Sequence, residues 1–303
     1  MIQRKESIIG AIAVSLAAIL WGLDGVVLTP RLYSLDVPFV VFVFHALPFL
    51  MMNVVFYKQY RFVVKFTSQD VLLFALVATF GGAIGTLAIV KALFLVNFEK
   101  LTIVILLQKL QPVFSIFLAW ILLKERLDKR FAFWALVAIL SGYTLTFGFC
   151  LPKPLNAGSN ITEASLYAVL AAFSFGSSTV FSKMLLRKFS FSTTSFFRYG
   201  FTSLIMLGVV LYTGTIANVL VTERQHWLIF LLIAITTGSG AIFLYYFGLN
   251  KIKASIATIC ELFFPLSAIL FDYWINKSFL TPVQWISAIV LIGAIIKLNL
   301  RRK

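Results

Sequence analysis

The segment LAAILWG at residues 16–22 lies inside an apolar run from Ile8 to Thr29, and a close copy, LAAFSFG, occurs at residues 170–176. The run is about 22 residues long, and roughly 20 apolar residues suffice to cross the hydrocarbon core of a bilayer. It exceeds the roughly 7–15 apolar residues of a secretion signal. The segment therefore predicts a first membrane-spanning helix, and its copy predicts two similar halves.

The composition of the whole chain also indicates a membrane protein. Of the 303 residues, 61% are hydrophobic and 12% are charged, and the mean hydropathy is +0.98. A soluble domain is usually just under half apolar, with about a quarter of its residues charged. These values exclude an ordinary soluble domain, and the abundance of Phe and Leu excludes a disordered chain.

An all-α integral membrane fold with ten transmembrane helices follows from the lengths of the apolar segments. The predicted spans are 8–29, 38–57, 70–94, 101–123, 131–150, 164–182, 193–213, 227–249, 254–275 and 282–299. The connections between them are short, and the longest lies near the middle of the chain. We predict one transmembrane domain over residues 1–303, with a first repeat at 7–150 and a second repeat at 163–300.

Lys and Arg are distributed unevenly among the predicted loops. The two termini and every second loop carry 18 of the 26 Lys and Arg residues, whereas the remaining loops together carry five. Cytoplasmic loops collect Lys and Arg, so we predict that both termini face the cytoplasm. Membrane topology thus explains the net charge of +15, which indicates no nucleic-acid partner.

The two halves correspond beyond the opening copy. A shift of 153 residues pairs Gly85 with Gly238 and Pro112 with Pro265. Each half has five predicted helices, an odd number, so the two halves enter the membrane from opposite sides. Such inverted repeats are typical of secondary transporters, whose substrate sites lie near the bilayer midplane at the repeat interface.

Two equivalent stretches place polar residues just before a proline. LLQKLQPVF, in the fourth span, contains Gln108, Lys109 and Pro112, and CELFFPL, in the ninth, contains Glu261 and Pro265. Proline removes a backbone hydrogen bond and kinks a helix, and a charge at bilayer depth costs roughly 3 kcal/mol unless it faces a cavity or a partner. We predict helix kinks at both prolines and a substrate-binding polar lining between them. An ion pair of the lysine and the glutamate that only joins two helices is the alternative.

Three side chains are candidates for coupling transport to protons: Glu261, Asp24 on the first span and His45 on the second. An unpaired carboxylate inside the membrane is costly, which favours a functional role for Asp24. A lone histidine is more often a hydrogen-bonded packing residue, and we favour that interpretation of His45. Lys91, near the end of the third span, suits either a substrate anion or a position from which its amine reaches water.

Aromatic residues in the first and eighth spans are further candidates for the substrate site. Trp21, Tyr245 and Tyr246 are predicted to flank an apolar or ring-shaped part of the substrate. For Arg198 and Asp272, near span ends, we predict snorkelling or an ion pair at the rim. The two cysteines have no paired spacing and indicate neither a disulfide nor a zinc site, and no motif indicates a metal or a cofactor.

Three sequence features resemble a known family. They are Trp21-Gly22 in the first span, Pro112 in the fourth and KERL at residues 124–127 after it. With the two-repeat plan, these features resemble the EamA-type ten-helix members of the drug/metabolite transporter superfamily over essentially the whole chain. The resemblance implies a central cavity lined by helices 1, 3, 4, 6, 8 and 9. The second repeat has Ser278 where a counterpart of the KERL glutamate is expected.

These features together favour a secondary transporter that works by alternating access in the cell membrane, or the inner membrane of a bacterium. Deep charges of both signs, with Lys109 opposite Glu261 or Asp24, indicate a small polar metabolite such as an amino acid. An exchanger of nucleoside-type or phosphorylated metabolites, with Lys91 and Lys109 holding the phosphate, is the alternative. A membrane-embedded enzyme is disfavoured because catalytic motifs are absent. The sequence does not decide between a monomer and a homodimer.

Overall fold

The computed structural model describes most of the chain, and every regular element in the described part is helical. The described residues are 2–97, 104, 107–108, 110–147, 159–276 and 281–299. The first half contains α1 (Ile2–Leu23), α2 (Val37–Phe56), α3 (Ser68–Leu95), α4 (Gln111–Leu122) and α5 (Lys129–Phe147). The second half contains α6 (Ser159–Leu186), α7 (Phe191–Thr213), α8 (Arg224–Lys251), α9 in two parts (Ala254–Cys260 and Phe263–Asn276) and α10 (Pro282–Asn299). Short turns of 3₁₀-helix at Thr29–Leu32, Tyr57–Lys65 and Thr215–Ala217, and one of α-helix at Asn218–Val221, complete the described helical structure.

The helices have the length and composition of membrane spans. Within the described part, seven helices, α1 to α3 and α6 to α9 with their flanking turns, are long and apolar enough to cross a membrane. The helices α4 and α10 are apolar but shorter. Large apolar side chains such as Leu50, Val54 and Leu204 are exposed on the outer surface, as expected of a surface that lipid covers. The predicted all-α membrane fold is therefore confirmed.

The packing of the helices has an internal two-fold pattern. In the first half α1 packs along α8 and α9, and in the second half α6 packs along α3 and α4. The helix α2 packs on α7, and α5 packs on α10. Exchanging each helix of one half for its counterpart five helices away leaves this pattern unchanged, as the sequence repeat predicts.

Two glycines at equivalent positions bring these helices into close contact. A Cβ atom on Gly22 of α1 would lie 2.1 Å from Ser267 Oγ and 3.0 Å from the Phe264 carbonyl oxygen of α9. A Cβ atom on Gly176 of α6 would lie 2.9 Å from the Gln111 carbonyl oxygen of α4. Small residues allow membrane helices to pack closely where lipid gives no hydrophobic drive for association. Both crossings therefore require glycine.

Several helices depart from regular α-geometry near the middle of the bundle. Asp24–Leu28 after α1, Val77–Ile84 in α3 and Ala234–Gly238 in α8 are π-helical. The segments in α3 and α8 overlap when the halves are aligned. A turn at Glu261 and Leu262 interrupts α9. Such irregularities open backbone groups and redirect side chains, and they are frequent at functional sites.

The two ends of the bundle differ in charge. One end of the bundle, which we call the basic end, contains the N-terminal residues and the α2–α3, α4–α5, α6–α7 and α8–α9 connections. These segments contain most of the Lys and Arg residues. There Lys251 forms an ion pair with Glu6. At the opposite end the Asn218 side chain donates a hydrogen bond of 2.8 Å to Asp36.

Gly176→Ala tests the close crossing of α4 and α6. We expect the thermal unfolding midpoint of the detergent-purified protein to fall by several degrees, since overpacking a tight contact costs roughly 1–3 kcal/mol. Gly208→Ala is the matched control, because a Cβ atom on Gly208 of α7 would meet nothing within 4 Å. Equal midpoints for the two variants would contradict the close approach. The measurement is size-exclusion chromatography after graded heating.

Candidate functional site

A central cavity of about 270 Å³ lies between the two halves of the bundle. Its lining comes from α1, α3, α4, α6, α8 and α9, the helices that the family resemblance implies, and also from α2 and α7. Among the described residues, α5 and α10 contribute nothing to this lining. The lining includes Thr29 and Leu93, which lie near the ends of α1 and α3. The cavity therefore extends from the middle of the bundle toward the end opposite the basic end.

Glu261 is the centre of a hydrogen-bonded cluster at the interface of the two halves. It follows the first part of α9, where the helix is interrupted. Its Oε1 accepts a hydrogen bond from Tyr245 Oη of α8 at 2.8 Å, and its Oε2 accepts one from Gln111 Nε2 of α4 at 2.5 Å. Tyr245 Oη is also 2.8 Å from Thr179 Oγ1 of α6. The carboxylate thus connects α9 directly to α8 and α4, and Tyr245 extends the cluster to α6.

Aromatic rings form one wall of the cavity beside this cluster. The Trp21 and Tyr245 rings have centroids 5.4 Å apart and are tilted by 52°. Phe175 and Phe264 also line the cavity. Such rings contribute large apolar surfaces, and contacts between offset or tilted rings are favourable. A flat, partly apolar ligand has a matching surface here.

Arg198 occupies a buried position next to the cavity, which differs from the prediction of a snorkelling side chain. It is 8% exposed, and it lines the cavity. Its Nη1 donates to Tyr246 Oη at 3.0 Å, and its Nη2 donates to the Gly81 carbonyl oxygen at 3.2 Å. The snorkelling prediction is wrong because the side chain bonds to α8 and α3 inside the bundle and does not reach the rim.

Tyr246 differs in position from its neighbour Tyr245. It is fully buried and is absent from the described cavity lining, and its Oη is 2.7 Å from Ser182 Oγ as well as bonded to Arg198. The guanidinium carbon of Arg198 lies 5.5 Å from the Tyr246 ring centroid. Tyr246 therefore accepts a hydrogen bond from Arg198 and holds the guanidinium group in place, but it does not line the cavity.

The two other candidates for proton coupling also line the cavity. Asp24 begins the π-helical segment after α1, and its Oδ1 accepts a hydrogen bond of 3.2 Å from Thr29 Oγ1. His45 is buried in α2, with Nδ1 2.9 Å from the Val41 carbonyl oxygen and its ring 5.6 Å from that of Tyr199. The histidine thus has the contacts of a packing residue, whereas Asp24 faces the cavity with one local partner.

The remaining predicted site residues fall into three groups. Gln108 and Pro112 line the cavity. Lys91 of α3 is partly exposed and is not among the lining residues, and Pro265 is buried in α9 away from the cavity. Lys109 lies outside the described residues, as do Cys150 and the side chain of Asp272. Gln111, Thr179 and Arg198 are cavity residues that the sequence interpretation did not select.

Tyr246→Phe tests the support of the buried arginine. Removing the hydroxyl leaves Arg198 Nη1 without an acceptor, and an unsatisfied buried donor costs roughly 1–3 kcal/mol. We expect a lower thermal unfolding midpoint for this variant. Tyr212→Phe is the control, since Tyr212 is 92% exposed. A Tyr246→Phe midpoint as high as that of the control would contradict the proposed support.

A family profile, a relative of known name and a solved structure each match nearly the whole chain. The sequence profile of the EamA-like transporter family matches the chain twice, at residues 8–148 and 162–300. A riboflavin transporter, ImpX of Fusobacterium nucleatum subsp. nucleatum, is 54% identical over 291 residues, which cover 96% of this chain and 97% of that protein. A solved crystal structure has a TM-score of 0.67 at 15% identity and covers 98% of this chain and 97% of its own, which shows a common fold. The chain belongs to the EamA-like transporter family and is a membrane transporter, not an enzyme.

Proposed function

We propose that the protein transports riboflavin, or a flavin closely similar to it, across the cell membrane by alternating access. The relative that is 54% identical over nearly the whole chain is named a riboflavin transporter. The observation in this chain that supports the proposal is the aromatic wall of Trp21 and Tyr245 beside the polar cluster of Glu261 and Gln111.

The chemistry of riboflavin matches this combination. Its isoalloxazine ring is flat, with a largely apolar face and a polar edge of carbonyl and N–H groups, and its ribityl chain carries hydroxyls. Ring faces such as that of Trp21 stabilise a flat ligand by stacking. Glu261 would accept hydrogen bonds from N–H or hydroxyl groups, and the amides of Gln108 and Gln111 would both donate and accept. A pocket with an apolar wall and few polar groups is the usual form of a small-molecule site.

An amino acid is no longer the favoured substrate. The relative's name designates riboflavin. Of the charges that suggested a zwitterion, Glu261 already accepts hydrogen bonds from Tyr245 and Gln111, and Lys109 lies outside the described residues. The alternative of a phosphorylated substrate relied on Lys91 and Lys109. The first does not line the cavity, and the second lies outside the described residues.

The proposed topology has ten spanning helices in two inverted repeats, with both termini in the cytoplasm. The excess of Lys and Arg at the basic end supports a cytoplasmic location for that end. The interchangeable packing of the two halves supports the inversion. In this orientation the cavity would extend toward the outside of the cell, as expected of an outward-facing state.

Trp21→Leu tests the aromatic wall. We expect the KM for riboflavin uptake into proteoliposomes to rise roughly two- to tenfold, since ring contacts add about 0.5–1.5 kcal/mol and 1.4 kcal/mol equals tenfold. Trp274→Leu is the control, because Trp274 is 63% exposed on the surface of α9. Equal KM values for the two variants would contradict the assigned wall. Uptake blocked by excess amino acids but not by excess riboflavin would contradict the proposed function itself.

A comparison of Asp24→Asn and Glu261→Gln tests which carboxylate couples transport to protons. The variant that lacks the coupling group should still exchange labelled for unlabelled riboflavin, since exchange needs no net proton movement. It should lose the stimulation of uptake by an imposed pH gradient. Glu163→Gln is the control, because Glu163 is exposed on α6. Full gradient stimulation in both cavity variants would exclude both residues as proton carriers.

A further inference from the structure

We propose that Glu125 holds the basic end of the transporter closed and thereby favours the outward-facing state. The proposal rests on the proposed transport by alternating access, and it assigns a positioning role to a residue outside the cavity. Glu125 lies in the connection between α4 and α5 and is 7% exposed. The residue before it, Lys124, has a φ of +54°, a left-handed conformation that is uncommon for a residue other than glycine. The strained turn is associated with a specific contact.

That contact is a carboxylate from the first half that binds the start of a helix from the second half. Glu125 Oε1 accepts a hydrogen bond from the Ala254 backbone N–H at 2.9 Å. Its Oε2 accepts bonds from the Ser255 backbone N–H at 3.1 Å and from Ser255 Oγ at 2.5 Å. The first N–H groups of a helix have no partner within the helix, and the helix dipole attracts negative charge there. Three buried charge-assisted bonds make this a strong connection between the halves.

The position of the contact links it to the substrate site. The first part of α9, Ala254–Cys260, begins at the residues that Glu125 binds and ends directly before Glu261 of the cavity cluster. The segment is only seven residues long and is followed by the interruption in α9. A displacement of its first turn would therefore be transmitted to the cavity carboxylate over a short, rigid distance.

Other contacts at the basic end also join the two halves. Lys188, between α6 and α7, forms an ion pair with Asp70 at the start of α3. Lys251, at the end of α8, forms an ion pair with Glu6 of α1. All these contacts must change if the substrate is to leave toward the basic end. Among them, the Glu125 contact is the buried one that joins the halves through three bonds.

The opposite end has weaker polar contacts between the halves among the described residues. They include the exposed bond of Asn218 to Asp36 and a contact of 3.4 Å between Ser34 Oγ and His226 Nε2. In the sequence, the repeat pairs Glu125 with Ser278, which has no carboxylate. A serine hydroxyl cannot accept hydrogen bonds with two separate oxygens, as the carboxylate does. The sequence repeat thus gives the Glu125 carboxylate no acidic counterpart at the equivalent position, and this asymmetry favours the state that is closed at the basic end.

Glu125→Ala tests the proposal by hydrogen–deuterium exchange of the full-length protein in nanodiscs without substrate. We expect the amides of Ala254–Cys260 to exchange at least tenfold faster. We also expect the amides near Leu95, at the end of α3 opposite the basic end, to exchange more slowly. In alternating access, opening the basic end closes the opposite end of the bundle. Exchange that rises at both ends, as general destabilisation would produce, or that changes at neither end would overturn the proposal. Glu163→Ala, at an exposed position, is the control.

A conservative pair of variants keeps the test decisive if Glu125→Ala does not fold. Ser255→Ala removes only the Oγ donor, and Glu125→Gln keeps two acceptor lone pairs but loses the charge. Both should give the same opposite changes at the two ends, with smaller amplitude, and unchanged exchange in both would overturn the proposal. Because no substrate is present, the result does not depend on riboflavin. Absence of riboflavin uptake by the unaltered protein would contradict the proposed function alone.

Discussion

The absence of water inside a bilayer is the constraint from which the rest of this structure follows. A charged or polar group at that depth must find its partners within the protein. Arg198 and Glu261 do so through groups on other helices, and Glu125, buried in a connection at the basic end, also bonds to another helix. In all three cases the partners include groups from the other half of the chain. The polar groups are therefore also the points at which the two halves are held against each other, and a transporter must rearrange such points.

The fold was predictable from sequence because its main determinants are local. The length and apolarity of a segment determine whether it can span a membrane, and the paired motifs before Pro112 and Pro265 reveal the repeat without knowledge of any contact. Glu261 could be selected as a candidate for the same reason, since one charge in an apolar helix is visible in the sequence. The structure locates it at the interruption of α9, in contact with α4 and α8.

The partners of these charges could not be predicted in the same way. Arg198 bonds to a carbonyl oxygen 117 positions away and to a hydroxyl 48 positions away, and neither partner has a sequence signal. The short distance of Arg198 from the end of its predicted span suggested a position at the rim. The boundaries of a span do not show in which direction around the helix axis a side chain points. For Lys91 the sequence left a substrate role and an amine that reaches water both open, and the structure places the residue partly exposed and outside the cavity lining.

The hydrogen bonds and the aromatic rings of the cavity both bear on which substrates it can bind. Glu261 already accepts hydrogen bonds from Tyr245 and Gln111, so a substrate that bonds to it must share these oxygens or replace a buried bond, whose loss is costly. A flat ligand that covers the Trp21 ring and its apolar neighbours breaks no hydrogen bond there, because the contact only buries more apolar surface. The aromatic wall thus suits a flat, mostly aromatic substrate with a few polar atoms, in agreement with the proposed function.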